Sequence, residues 1–267
     1  IDFEDTLEDW FPGRFEYGGT IKVKMLLNHT GGLHDHEELP ELMDSIVSTP
    51  ERVWTREEIM DMIADTPLDF IPGTSYRYSN AGYYVLGAIV ENASGMTFQE
   101  ALMDRIFKHT GIARTEVLDG KVDAPAADFY SLLDDHTELS NLTHWNYSWD
   151  WTAGAGVSTA SDMIRFLNAL FGPCLISKEL REEMMTAQAP SGSYGYGMSV
   201  ETYKGKVVVS HGGANFGNYG VWICIPEINA GFFVAFNRLD MTPDIANQMQ
   251  SLIKQMKDML LAQAGEL

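Results

Sequence analysis

Three runs late in the chain decide its architecture: Val207-Val208-Val209-Ser210-His211-Gly212-Gly213-Ala214, Val221-Trp222-Ile223-Cys224-Ile225 and Phe232-Phe233-Val234. Each is rich in β-branched or aromatic side chains, and turn-forming segments separate them. Strands are therefore predicted over 206–210, 220–225 and 231–236, joined as an antiparallel meander, with Tyr194 to Val200 a candidate for a strand before them. The second and third runs do not alternate apolar with polar. Strands of that kind are covered on both faces, so helices should flank the sheet. One such helix is expected to open at Thr242-Pro243, with proline at its first position. Its stripe is Ile245, Met249, Leu252, Met256 and Leu260.

Upstream of residue 190 the pattern is helical. Thr20 is a candidate N-cap before Val23, Leu26 and Leu27. Thr55-Arg56-Glu57-Glu58 and Thr97-Phe98-Gln99-Glu100 both fit the capping box, in which a threonine and a glutamate satisfy each other's backbone N–H groups. Residues 81–93 are apolar at helical spacing, and Gly95 stands where a C-cap glycine belongs. Thr159 or Ser161 should open a further helix through Ile164, Leu167 and Phe171. The expected organisation is a mainly helical part, 1–190, and a part with the sheet and last helix, 191–267. The two form one α/β (α+β type) domain with a cleft between them.

With 267 residues, 45% of them hydrophobic, the chain can bury one sizeable core. Its net charge of −20 repels nucleic acid and anionic membranes. No apolar run is long enough to span a bilayer. The two cysteines, Cys174 and Cys224, lack metal-site spacing, and Cys224 sits in an apolar run as a small buried hydrophobe. The chain opens on Ile1 rather than methionine, so it is expected to be a processed or partial chain.

Three segments carry candidate chemistry. Pro72-Gly73-Thr74-Ser75-Tyr76-Arg77-Tyr78-Ser79-Asn80 is a turn leading into a helix, a place from which a phenol and an amide can enter a cleft. Alone, it reads more readily as a turn, a buried tyrosine and an asparagine cap. In Ser210-His211-Gly212-Gly213-Ala214 a strand runs into a histidine and two glycines, which let a ligand approach the backbone closely. Alone, it equally describes a strand ending in a glycine turn. Leu26-Leu27-Asn28-His29-Thr30-Gly31-Gly32-Leu33 implies no mechanism directly, and His29 reads as a structural hydrogen-bonder. His34-Asp35-His36 reads as a solvated loop rather than a metal site. The aromatic group Trp145, Tyr147, Trp149 and Trp151 fits a cleft wall and a core-packed lid equally well.

Taken together and in this order, the three segments resemble the penicillin-recognising serine hydrolases, the family of class C β-lactamases, D-Ala-D-Ala carboxypeptidases, D-aminopeptidases and related esterases. The family patterns are L-L-x-H-T-S/G-G-L, P-G-x-x-x-x-Y-S-N and an H-x-G or K-T-G strand. Ala153-Gly154-Ala155-Gly156-Val157-Ser158-Thr159-Ala160-Ser161-Asp162 resembles a further family segment. The resemblance implies a β-lactamase/DD-peptidase-like fold, acyl transfer through a covalent acyl-enzyme, no cofactor and no metal, and an extracytoplasmic setting. It assigns Tyr78 as proton relay, Asn80 as holder of the substrate amide, and Gly212 and Gly213 as the strand along which substrate lies. The Ala214 N–H becomes the second oxyanion donor. His211 stands where relatives carry the lysine of K-T-G and is expected to supply a hydrogen bond or a charge. That replacement ranks D-amino-acid peptidase or esterase activity above β-lactamase activity.

The family nucleophile is the serine of S-x-x-K at the start of a buried helix. In relatives it lies shortly before a segment like Ile1–Leu7, so it is expected upstream of this chain, on a segment that is absent or held as a separate chain. An exposed sheet edge and an apolar cavity should then be present. The one match, Ser251-Leu252-Ile253-Lys254, falls in mid-helix away from the apolar stripe and is rejected. The expected partners are a small-molecule or peptide substrate and the chain's own N-terminal segment, with no nucleic acid and no membrane span. The competing expectations are a nucleophile-less binding module and an assembly protein using a free sheet edge.

Overall fold

A computed structural model describes residues 1–122, 127–132, 139–239, 243–263 and 265, with side chains of the last helix from Asn247 onward. Ten α-helices are present among these: α1 Leu7–Trp10, α2 Val23–Leu27, α3 Pro40–Ser48, α4 Arg56–Asp65, α5 Asn80–Ser94, α6 Phe98–Leu102, α7 Lys108–Thr110, α8 Ala160–Phe171, α9 Lys178–Met184 and α10 Pro243–Gln263. Short strands β1 Glu116–Val117, β2 Tyr130–Ser131, β3 Ser140–Asn141 and β4 Gly156–Val157 pair as β1-β4 and β2-β3. The main antiparallel sheet has the order β5-β6-β7-β8, formed by Ser199–Tyr203, Lys206–Asn215, Asn218–Ile225 and Ala230–Phe236.

Local chemistry explains most helix boundaries. Thr55 caps α4 and Thr97 caps α6, each in a complete capping box with Glu58 or Glu100. Gly95 closes α5 with φ +67°, the left-handed C-cap that glycine adopts without steric cost. Thr159 opens α8 by accepting from the Asp162 N–H. Thr20 does not cap α2: Lys22 is the N-cap, and the Thr20 hydroxyl turns back to the Tyr17 carbonyl. The chain stays extended there because Leu7 N–H bonds the Ile21 carbonyl and Thr6 bridges Lys22. The candidate strand at Tyr194–Val200 is shifted, with β5 starting only at Ser199.

Helices cover both faces of the sheet. Val208, Val221, Ile223 and Phe232 pack against Leu261 and Met256 of α10. Val209 and Cys224, on the opposite face, pack with Leu170 of α8 and with Met198. Alternation of Val208 and Val209 thus serves two apolar layers. Cys174 is exposed and Cys224 buried, with no bond between them. The third, largest cluster lies among the helices and holds Leu26, Ile59, Tyr84, Val85 and Ile89, together with Tyr147, Trp149 and Trp151. These aromatics are therefore core, with Trp151 edge-on to Tyr84. Thr242 and the Ile245 side chain lie outside the described residues. No described helix is long and apolar enough to cross a membrane.

Helix α5 is the strut that carries the cleft. Gly87 lets it press against the turn Trp151–Ala153, where Thr152 donates to the Tyr83 carbonyl at 3.0 Å. A Cβ at Gly87 would overlap the Thr152 side chain, with the Thr152 Cβ only 2.7 Å away. Alanine normally improves a helix interior by about 1 kcal/mol over glycine. Here the overlap should dominate, and Gly87→Ala is expected to lower stability by roughly 1–3 kcal/mol net. A urea midpoint at or above that of the unmodified protein would refute this packing account.

Candidate active site

Helix α2 ends at Leu27, and the chain then reverses through His29 at φ +58°. The backbone groups left open by this buried reversal capture a second loop. The Thr30 carbonyl accepts from Gly73 N–H at 2.8 Å, and the His29 carbonyl from Arg77 N–H at 3.2 Å. His29 Nδ1 accepts from Ser79 N–H, also at 3.2 Å, so the imidazole is the structural hydrogen-bonder expected. The captured loop is itself closed by Thr74 N–H to the Ile71 carbonyl, with Gly73 at φ +81° after Pro72. A positive φ at that position of a Pro-Gly turn favours glycine. Tyr78 is thereby laid over His29, with ring centroids 4.2 Å apart, and its ring lies 6.2 Å from that of His211.

Strand β6 approaches from the sheet side. Its histidine and glycines do not end the strand, which continues to Asn215, with His211 opposite Trp222 and Gly213 opposite Gly220. Its other neighbour, β5, pairs only as far as Ser210. Gly212, Gly213 and Ala214 are exposed beyond that point, so their outer edge is open among the described residues. Tyr78, Tyr83, Met198, His211 and Trp222 line a cavity of about 240 Å³ beside this edge.

The electrostatics differ from what the motifs alone imply. Burial holds the His211 pKa below its ordinary value, so the ring is neutral at neutral pH and offers a hydrogen bond rather than a charge. Its Nε2 lies 3.0 Å from the Tyr194 hydroxyl. The Tyr78 phenol is pushed up, first by burial and then by the carboxylates of Glu37, Asp35 and Asp150. Asn80 begins α5, and both its backbone N–H and its Nδ2 donate to Asp35 Oδ2, at 3.1 and 3.0 Å. Asp150 accepts from Asn215 Nδ2 at 2.5 Å, which ties the end of β6 to the helical side. Glu37 and Asp150 are hydrogen-bonded to each other, and burial followed by the charge of Asp150 raises Glu37 well above its ordinary 4.5. With Glu37 partly buried and Asp150 fully so, the two neighbouring carboxylates share a proton rather than ionise together.

The fold thus brings Tyr78 and His211 to one cavity, which the Gly212–Ala214 edge does not itself line, and places Asn80 at the start of α5, on Asp35. Asp35, Glu37, Asp150, Tyr83 and Tyr194 were not legible from motifs. The only hint of Tyr194 is its place in the aromatic-glycine run Ser193-Tyr194-Gly195-Tyr196-Gly197 before β5. No group of residues with metal-holding geometry occurs among the described residues. Ser251 and Lys254 are exposed on α10, where Lys254 pairs with Asp258 at 3.0 Å.

Comparison with known proteins places the chain in context. Residues 1–252 match the family model described as Beta-lactamase. The chain is 30% identical over 234 residues to penicillin-binding protein 4* of Bacillus subtilis, covering 80% of this chain and 50% of that protein. It is 27% identical to a D-aminopeptidase of Brucella anthropi, covering 76% and 38%. The chain thus spans half or less of the length of these curated relatives. Its fold is similar to that of a D-stereospecific amidohydrolase from Streptomyces sp., with TM-score 0.81 and 26% identity, covering 89% of this chain and 75% of that one. It is also similar to a D-amino acid amidase from Ochrobactrum anthropi complexed with D-phenylalanine, with TM-score 0.74 and 25% identity, covering 88% and 69%.

The shared proton has a measurable consequence. A carboxyl raised in the folded state stabilises the protein below its unfolded pKa, and that contribution is lost as pH climbs above about 4.5 toward the raised folded value. Glu37→Gln keeps a donor toward Asp150 at every pH. Relative to the unmodified protein, the variant should gain stability steadily between pH 5 and pH 8, because it does not lose the contribution of the raised carboxyl. Parallel urea-midpoint curves for the two proteins over that range would overturn the shared-proton assignment.

Proposed function

We propose a function for a chain that belongs to the Beta-lactamase family: it forms the cleft of a serine hydrolase that cleaves amide or ester bonds through an acyl-enzyme. The observation that carries this reading is convergence. Tyr78 from the loop before α5 and His211 from β6 meet at one cavity beside an open strand edge. The division into a helical part, 1–190, and a sheet part, 191–267, is proposed with it, the cleft lying between.

In the proposed mechanism the nucleophile is the serine of an S-x-x-K pair on a segment outside these 267 residues. Its Oγ attacks the acyl carbonyl, and the oxyanion is held by the Ala214 N–H and the serine's own N–H. The serine proton passes by way of Tyr78 to the leaving amine or alcohol, which departs with it. Water then attacks the ester carbonyl, gives its proton back along the same path to the serine oxygen, and releases the acid. With carboxylates as its charged neighbours, the Tyr78 phenol stays protonated and has no phenolate form to take the serine proton. A lysine ammonium against the ring would reverse that sign, and the lysine of S-x-x-K supplies it in this reading. Gly212 and Gly213 give substrate a backbone edge to lie along. Asn80, braced on Asp35, holds the substrate amide.

The names of the similar proteins, D-aminopeptidase and D-amino acid amidase, favour D-amino-acid amides and peptides as substrates. A neutral His211 in place of a lysine fits that preference, because it offers no cation to a substrate carboxylate.

The test uses the full natural polypeptide that carries this chain. A fluorophosphonate should label one serine upstream of residue 1, and D-phenylalanine amide should be hydrolysed. Tyr78→Phe should cut kcat/KM by roughly 10²–10⁴-fold while leaving the fold intact. Absence of both labelling and turnover would remove the hydrolase reading in favour of a binding module.

A further inference from the structure

Strand β6 carries its glycines on one neighbour only. The turn Phe216-Gly217 joins it to β7, and Asn215 and Asn218 close that turn as a pair. Facing residues in an antiparallel ladder alternate between pairs that exchange hydrogen bonds and pairs that do not. The closing pair of so tight a turn is a bonded one, because the carbonyl before the turn accepts from the N–H after it. Asn215, Gly213 and His211 therefore face β7. The Ala214 N–H faces the other way, where β5 no longer pairs beyond Ser210. A strand held from one side and made of Gly212, Gly213 and Ala214 has little packing to fix its free edge. Its tip supplies what is missing, because Asn215, Phe216 and Gly217 all enter the helical part. Asn215 Nδ2 donates to Asp150 Oδ2 at 2.5 Å, and Asn215 Oδ1 accepts from the Phe216 N–H at 2.7 Å, so both ends of the amide are taken. Phe216 lies against Trp145 and Trp149, with ring centroids 5.3 and 6.0 Å away. Gly217, at φ +83°, sits so close to Tyr130 that a Cβ would meet its backbone atoms at 2.9 to 3.1 Å.

We infer that Asn215 and Phe216 are positioning residues: they dock the β6–β7 turn in the helical part and so hold the Ala214 N–H where the oxyanion forms. The catalytic part of this inference rests on the acyl-transfer reading; the docking itself does not. An oxyanion donor is effective only within about 2.7–3.1 Å of the developing charge. Ala214 adjoins Asn215, so the tip sets that distance directly. The receiving groups are core rather than surface: Asp150 and Trp149 are each 2% exposed. Asp150 is itself fixed, its N–H on the Tyr147 carbonyl at 3.1 Å and its carbonyl receiving the Ala153 N–H at 2.8 Å. The turn Trp151–Ala153 that follows also braces α5 through Thr152, and α5 starts just after Tyr78. The proton relay and the oxyanion donor, which come from opposite sides of the cleft, are thereby referred to one common support.

The experiment compares the full natural polypeptide with its Asn215→Ala and Phe216→Leu variants, the second keeping an apolar group at the tip in case the first does not fold. Amide hydrogen exchange reads the docking without reference to catalysis. The Gly213 N–H, which faces β7, should exchange at least about ten-fold faster in both variants, while the Val209 N–H, deep in the same ladder, keeps its rate. For D-phenylalanine amide, kcat should fall roughly 10–100-fold with KM within about two-fold, the pattern of an interaction made only in the transition state. Affinity for the boronic acid analogue of D-phenylalanine, whose tetrahedral adduct with the serine places an oxygen at the oxyanion site, should fall by the same factor, and affinity for D-phenylalanine should hold. Unchanged exchange at Gly213 in both variants would overturn the docking. Faster exchange with an unchanged kcat, or with D-phenylalanine affinity falling as far as boronic acid affinity, would remove the positioning role and leave these residues structural. Faster exchange in a protein that hydrolyses nothing even when unmodified would keep the docking and fail only the acyl-transfer reading.

Discussion

The site hangs from the few backbone groups left open where α2 ends. A helix terminus has carbonyls that its own turns cannot satisfy, and here neighbouring segments take them up. The Leu27 carbonyl receives both the Tyr83 hydroxyl and the Gly197 N–H, at 2.9 and 3.2 Å. Just beyond, His29 and Thr30 receive Gly73 and Arg77, and the His29 ring receives Ser79. One helix end thus fixes the loop that carries Tyr78, the helix that carries Asn80 and the approach to β5. The left-handed backbone at His29, uncommon for a side-chain-bearing residue, is stabilised by these partners.

A second layer of order is electrostatic. The chain is strongly acidic, and three of its carboxylates, Asp35, Glu37 and Asp150, are drawn together behind the cleft. Each has a defined task. Asp35 holds the start of α5 through Asn80 and caps the turn at His36–Glu38. Asp150 holds the end of β6 through Asn215. Glu37 stands between them and shares a proton with Asp150, which lessens repulsion that would otherwise be severe in a buried setting. The cluster makes the cleft negative in character, and this pushes the Tyr78 phenol away from ionisation. Neutral His211 does nothing to oppose that. The chemistry proposed for Tyr78 therefore depends on a cation, which the proposed mechanism assigns to the lysine of S-x-x-K.

At the cleft, the joint between the sheet and the helical part is made of aromatic rings. His29, Tyr78, Tyr83, Tyr194 and His211 pack with centroids between 4.2 and 6.3 Å, partly tilted and partly edge-on. Such rings bring large contact areas at low side-chain entropy, and their polar tips can still form directed bonds. A rigid joint of this kind holds a proton path in place, because a hydrogen bond weakens steeply with small angular errors.

Sequence alone determined the elements whose causes are local. The capping boxes at Thr55 and Thr97, the Gly95 terminus and the non-alternating strands act within a few residues, so spacing and residue type suffice to read them. Motif order also carried the family, and with it Tyr78, Asn80 and His211-Gly212-Gly213 as candidates. Thr20 was misread because long-range pairing of Ile21 and Lys22 overrides its capping preference. Tertiary structure alone decided that β6 runs through its glycines to Asn215, since a facing strand is what stabilises them. Only tertiary structure, too, could set the charge of His211, because it follows from burial, and burial is not a property of any one segment.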